Sequence, residues 1–165
     1  MHGVTFRHAT ASDGVVVHGL IHELAETLGL PQKLKSSPND FSAELGQPTP
    51  AFRAVIAEHD GKAVGLCLYF TSFSSWRGAK GVYVQDLYVA DAMRHTGLGK
   101  RLLQYVAARA GSDGAQYLRL AVDADNVSAQ SFYERIGMHW VEEDRVYVID
   151  GPPFVTLSTE GKDTL

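Results

Sequence analysis

The stretch RHTGLGKRLL, residues 94–103, sets Gly97 and Gly99 two positions apart, with a Lys100-Arg101 pair and an apolar run behind them. Glycine keeps backbone freedom that other residues lack, so such a pair costs stability inside a helix and suits a loop. From Gly97 onward Leu98, Leu102, Val106 and Ala110 recur with a helical period, which predicts a helix that starts at the loop and ends at Gly111. The unpaired N–H groups at a helix start, together with the helix dipole, make a site for anionic oxygen, and glycines let a phosphate approach the backbone closely. Two stricter phosphate motifs fail. A Walker loop needs Gly at position 94 and Ser or Thr after Lys100, where the chain has Arg94 and Arg101. A dinucleotide fingerprint from Gly97 needs a third Gly at Leu102. Elsewhere, His18 and His22 have metal-ligand spacing without a third ligand and read as ordinary helix histidines. Cys67, in mid-strand among Leu66, Leu68 and Tyr69, reads as a buried packing residue.

The elements that must hold these residues follow from periodicity. Val4 and Phe6 alternate until ATASD, where Thr10, Ser12 or Asp13 could cap the helix suggested by VVVHGLIHELAETL. Gly and Pro punctuate residues 29–50, predicting an irregular stretch around one short helix at Pro38 to Leu45. Loops of this length are often functional. AFRAVIAE and AVGLCLYFTSF flank HDGK, whose Asp60-Gly61 pair signals a hairpin, and VYVQDLYV is a third strand of the same meander. After the glycine loop and its helix, QYLRLAVDADN reads as a strand and AQSFYERI as a helix stopped by Gly137. HWVEE and RVYVID read as a terminal strand pair, and the tail at 154–165 as loose. The sum is a mixed α/β sheet of about seven strands, with an antiparallel N-terminal half, a βαβ crossover and flanking helices.

A chain of 165 residues, 45% apolar and 21% charged, is expected to form a single domain with its own core, centred on residues 4–150. It has no run near the roughly 20 apolar residues of a membrane span, no export signal, and one Cys that cannot pair internally. These features predict a soluble protein of the reducing cytoplasm. A net charge of −4 speaks against nucleic acid or an anionic membrane as partner and fits a cationic small molecule.

Arg94, Gly97 and Gly99 spell R-x-x-G-x-G between a strand and a helix, and Asn126, Ala129, Phe132, Tyr133, Glu134 and Gly137 spell N-x-x-A-x-x-F-Y-E-x-x-G. The two motifs resemble the signatures of the GNAT acetyltransferase superfamily, and FRHATASD resembles its opening strand and cap. HELAETLGL, and Trp76-x-Gly78 before YVQDLYV, are similar to the branch that acetylates diamines, polyamines and related primary amines. Gln85 stands where polyamine enzymes carry Glu.

The resemblance implies acetyl-CoA as cofactor, a small primary amine as acceptor, and a homodimer. It implies that the backbone of Leu87, Tyr88 and Val89 pairs with the pantetheine arm, Val89 N–H facing the thioester oxygen. Arg94, His95, Thr96, Gly97, Leu98, Gly99 and Lys100 would wrap the pyrophosphate. Asn126 and Ser128 would touch the cofactor, with helix capping an equal alternative for Asn126. Tyr133 would be the general acid at the thioester sulfur, since a phenol of ordinary pKa about 10 stays protonated at neutral pH; otherwise it packs the core. Gln85 cannot take a proton at neutral pH. Asp86, Tyr83 or a water held by Gln85 must then serve as base, or the amine reaches the site already neutral; Asp86 is the leading candidate. Trp76, Gln85 and Asp86 are expected to line the amine site. The rival readings are a protein N-terminal or lysine acetyltransferase and a non-catalytic acyl-CoA sensor.

Overall fold

Asp60 and Gly61 both adopt positive φ, 48° and 73°, and their two-residue turn sets His59 opposite Lys62. Such a turn matches the twist of the strands it joins, here β2 (Arg53–His59) and β3 (Lys62–Ser74). The structure, a computed structural model, describes residues 3–142 and 145–160, in two compact units that divide between Ala124 and Asp125.

The first unit is built on a five-stranded sheet in the order β1-β2-β3-β4-β5. β1 (Val4–His8), β2, β3 and β4 (Ala79–Val89) are antiparallel neighbours, while β5 (Ala115–Leu120) lies parallel to β4 after the crossover through helix α3 (Leu98–Ser112). One face carries Ala54, Ile56, Leu66, Leu68 and Tyr88 against Val17, Leu20 and Ile21 of helix α1 (Gly14–Thr27) and Phe41 and Leu45 of helix α2 (Pro38–Leu45). The opposite face meets α3, whose buried Leu98, Leu102, Leu103 and Val106 recur at helical spacing. Gly65 admits α3 there: a Cβ on it would lie 3.1 Å from Leu102 Cδ1 and from Tyr88 O.

Before α1 the chain makes a 3-10 turn at Ala11–Asp13, and of the three candidate cap residues two act together. Asp13 Oδ2 accepts from Thr10 N–H at 2.8 Å and from its hydroxyl at 3.0 Å, while both Asp13 oxygens receive Arg7 at 2.8–2.9 Å. Arg7 Nε also donates to Glu58 at 2.9 Å. The Arg7 guanidinium is the largest cause holding the Asp13 carboxyl at about 2, below its ordinary 3.8. A folded pKa below the unfolded one stabilises above pH 4 and is lost as pH falls toward 2, a contribution of about 2.5 kcal/mol. Asp13→Ala should therefore lower unfolding free energy in urea by about 2–4 kcal/mol at pH 7 and by much less near pH 2.

The second unit holds α4 (Val127–Arg135) and α5 (Gly151–Glu160). Gly137, at φ 97°, ends α4 with its N–H on Glu134 O and with Met138 N–H on Tyr133 O. The mixed α/β class stands, with five strands among the described residues where about seven were expected. Among the described residues HWVEE and RVYVID join no ladder, and Val146, Tyr147 and Val148 are 81%, 89% and 77% exposed. Strand preference records fit to a pleated, half-buried surface, so an apolar alternation becomes a strand only beside a partner. Glu143 and Asp144 lie outside the described residues. The tail expected to be loose is helical to Glu160: Pro152 and Pro153 occupy the first turn, where no N–H is needed, and Thr156 hydroxyl donates to Pro152 O at 3.2 Å. Residues 161–165 lie outside the described residues. Among those described, no helix is long and apolar enough to cross a membrane.

Candidate active site

β4 does not pair evenly with β3. Leu68 faces Asp86 and Tyr69 faces Val84, so Gln85 is an extra residue, a β-bulge. Without it Asp86 would share a face with Val82 and Val84, on the α3 side. The bulge turns Asp86 to the α1/α2 side, with Leu68 and Tyr88. There burial alone pushes its carboxyl up to about 6 from 3.8. A carboxyl so placed can change protonation near neutral pH.

The same ladder decides which backbone groups of β4 face outward. Ala90 N–H donates to Val64 O at 3.0 Å, so by the alternation of an antiparallel pair Tyr88 also bonds β3, while Leu87 and Val89 turn N–H and C=O away. On that outer side the ladder to β5 ends at Val84 and Leu120. Leu87 and Val89 can therefore accept an extended, amide-bearing ligand as an added strand. Tyr88, grouped with them from the resemblance, contributes a buried ring to the core, its phenol pushed up to about 12 by burial and then by a bond to Glu23.

Beyond Val89 a 3-10 turn at Asp91–Met93 leads into the glycine loop. His95 and Gly97 both have positive φ, 61° and 82°, and Gly97 is the residue before the first turn of α3. The first intrahelical bond runs from Arg101 N–H to Gly97 O at 3.1 Å, which leaves the Leu98, Gly99 and Lys100 amides without helical partners. Thr96 is held inward, its hydroxyl donating to Met93 O at 2.6 Å. Arg94 is turned back on the protein: it meets Asp91 at 2.8 Å, Thr27 hydroxyl at 3.2 Å and Val89 O at 3.3 Å. It ties the loop to α1 and to the end of β4.

The other expected site residues come from several parts of the chain. Gln85 is exposed, and Tyr83 stacks on Phe70 at 5.1 Å. Trp76 is fully exposed at the tip of the β3–β4 hairpin, about 20 Å along the strand from Asp86. In the second unit Asn126 takes its capping role, accepting from Ala129 N–H at 3.1 Å; Ser128 is exposed; and Tyr133 is half-buried beside Phe132. Cys67 is buried, its thiol pushed up to about 12 by burial, and His18 Nε2 lies 2.9 Å from Ser36 O.

A family model described as the acetyltransferase (GNAT) family matches residues 19–138. The chain belongs to the GNAT family. It is 33% identical to the thialysine N-epsilon-acetyltransferase of Bos taurus over 142 residues, covering 81% of this chain and 83% of the relative. It is 31% identical to an L-ornithine N5-acetyltransferase of Arabidopsis thaliana, covering 88% and 83%. Among solved structures, an integron cassette protein of Vibrio cholerae superimposes with TM-score 0.80 at 22% identity, over 96% of this chain and 99% of that one. An aminoglycoside N-acetyltransferase in complex with CoA does so with TM-score 0.73 at 18% identity, over 88% and 94%. As a GNAT member the protein is an N-acetyltransferase. Within that GNAT frame, the bulge at Gln85 and the Arg94 ties are features that the motifs alone did not reveal.

Proposed function

We propose that this GNAT enzyme transfers an acetyl group from acetyl-CoA to the primary amine of a small molecule, by direct attack in a ternary complex, and that the side-chain amine of an amino acid is its preferred acceptor. One observation carries the reading: within four residues of β4 stand a desolvated carboxyl at Asp86 and the outward-turned backbone of Leu87 and Val89. Relatives named for thialysine and ornithine support the acceptor class.

Bound acetyl-CoA supplies an activated acetyl thioester. Leu87 and Val89 hold its pantetheine arm as an added strand, and the Leu98, Gly99 and Lys100 amides receive the pyrophosphate at the positive end of α3. Val89 N–H donates to the thioester oxygen as charge develops there, a contribution of about 3 kcal/mol in comparable oxyanion holes. Asp86 accepts the proton that the amine nitrogen sheds as its bond to the acetyl carbon forms. Tyr133 donates a proton to the sulfur as the carbon–sulfur bond breaks. Solvent then restores both groups.

Thiol release from acetyl-CoA with thialysine, ornithine, lysine, putrescine and spermidine tests the reading. The amino acids should react fastest; silence with every amine refutes catalysis, and a clear preference for spermidine refutes the acceptor class. Gly97→Ala should weaken acetyl-CoA about tenfold in calorimetry with unchanged far-UV circular dichroism. A Cβ there meets nothing within 4 Å, so its effect comes through φ of +82°, which disfavours side chains and would disperse the amides. The enzyme is a homodimer in this reading, and a monomer mass by sedimentation at micromolar concentration would contradict that part.

A further inference from the structure

A second concave site lies under the far half of α3. A cavity of about 420 Å³ opens there between the helix and the sheet, lined by His8, Arg53, Tyr69, Lys80, Arg109 and Asp113 together with small residues. That volume is in the range of small-molecule sites, about 300–1,000 Å³. It is separate from the candidate active site on two counts. Arg109 is eleven residues along α3 from Leu98, about 16 Å of helix. The strand residues also belong to the opposite face of the sheet from Asp86: Arg53 pairs with Tyr69, Thr71 with Val82, and His8 with Val55, all on the α3 side.

The charge here runs against that of the whole protein. The chain carries −4, yet the cavity gathers three cations, Arg53, Lys80 and Arg109, around one acid. That acid, Asp113, is already engaged: Arg53 Nη1 approaches it at 3.9 Å. Among the described residues no carboxylate pairs with Lys80 or Arg109. Three elements supply the cations, β2, β4 and α3, so no local sequence pattern explains their meeting. The field they make is felt by neighbours. His8 is held below its ordinary range by burial first and then by the charges of Arg109 and Arg53. The hydroxyl-bearing Tyr69 and Thr71 also line the cavity. Guanidinium forks bind carboxylate and phosphate through paired N–H groups, and an ammonium adds a point charge.

We propose that this cavity is a binding site for a small polyanion bearing carboxylate or phosphate groups, with Arg109 and Lys80 as its principal contacts and Arg53, Tyr69 and Thr71 completing the cradle. An occupant meeting both Arg109 and the strand cations would bridge α3 to the sheet.

The test is calorimetry on the full chain with two probes, citrate for carboxylates and pyrophosphate for phosphates, each added to protein already saturated with CoA. NMR of the His8 ring reports occupancy locally, with His8→Asn to assign the signal. Binding of either probe at millimolar concentration, a shift of the His8 signal, and affinity about tenfold weaker in Arg109→Ala and in Lys80→Ala would establish the site. Which probe binds tells carboxylate from phosphate. Both side chains are exposed, so the variants should fold; their thermal unfolding with CoA bound checks this independently. No binding of either probe, or binding that Arg109→Ala leaves unchanged, overturns the proposal. So does binding that leaves the His8 signal still.

Discussion

Asp86→Asn is expected to lower turnover of the best amine by about 10²- to 10⁴-fold while making the protein more stable. Both effects have one cause. Burial raises the Asp86 carboxyl from 3.8 to about 6, so folding favours its protonated form. The carboxylate then costs stability in full above pH 6, by up to about 3 kcal/mol, and the cost fades as pH falls from 6 toward 4. Asn occupies the same volume and carries no charge, so it should raise the melting temperature at pH 7.5 and leave it nearly unchanged at pH 4. Activity should move the other way. In the wild type, kcat/KM should rise with pH through an inflection near 6, as Asp86 ionises and becomes able to accept a proton. The Asn enzyme should lack that inflection. A side chain kept only for packing would show the same stability gain with turnover and the pH profile left as in the wild type. Turnover within threefold of wild type, or an inflection near 6 that survives in Asp86→Asn, would remove Asp86 from the chemistry.

Much of the architecture was legible because local chemistry and tertiary placement agree. The Asp60-Gly61 turn, the short α2 behind Ser37-Pro38, and the switch to helical period at Gly97 are each dictated by a few neighbouring residues, and each stands where the sequence put it. The bulge at Gln85 leaves its own mark in the sequence. Apolar residues occupy even positions at Val82 and Val84 and odd ones at Leu87 and Val89, a slip in alternation that one extra residue produces. Read that way, the sequence would have sent Asp86 to the α1/α2 face. The role of Arg94 could not be read locally, because its partner Thr27 is distant along the chain and meets it only through packing of α1. Nor could the end of the β4–β5 ladder at Val84, since strand divergence leaves no mark on composition. Trp76 shows the reverse limit: the residues around it matched a branch pattern, but the length of the β3–β4 hairpin carries it far from Asp86. RVYVID erred for a related reason, its alternation being real and its ladder absent among the described residues.

Tyr133→Phe should lower turnover by about 10²- to 10⁴-fold with little change in acetyl-CoA affinity or in melting temperature. The expectation rests on the place of Tyr133 in SFYERIG and on the need for a proton at the departing thiolate. Several features of its local structure do not depend on the hydroxyl. Tyr133 lies on α4, which Asn126 caps at its start and Gly137 closes at its end, and its backbone carbonyl receives Met138 N–H at 3.0 Å. Its ring sits beside that of Phe132, centroids 5.1 Å apart, a contact a phenyl ring keeps. Loss of the hydroxyl therefore spares the helix, its caps and the ring contact. Proton donation and packing then predict different numbers: a donor loses kcat at constant cofactor affinity, whereas a packing residue loses almost nothing. The leaving group separates them further. Acetyl thioesters of more acidic thiols need less help from an acid, so the gap between Tyr133→Phe and wild type should narrow along such a series if Tyr133 protonates sulfur. Turnover within twofold of wild type, or a gap that stays constant across the series, would end the general-acid assignment and leave the thiolate to be protonated by water.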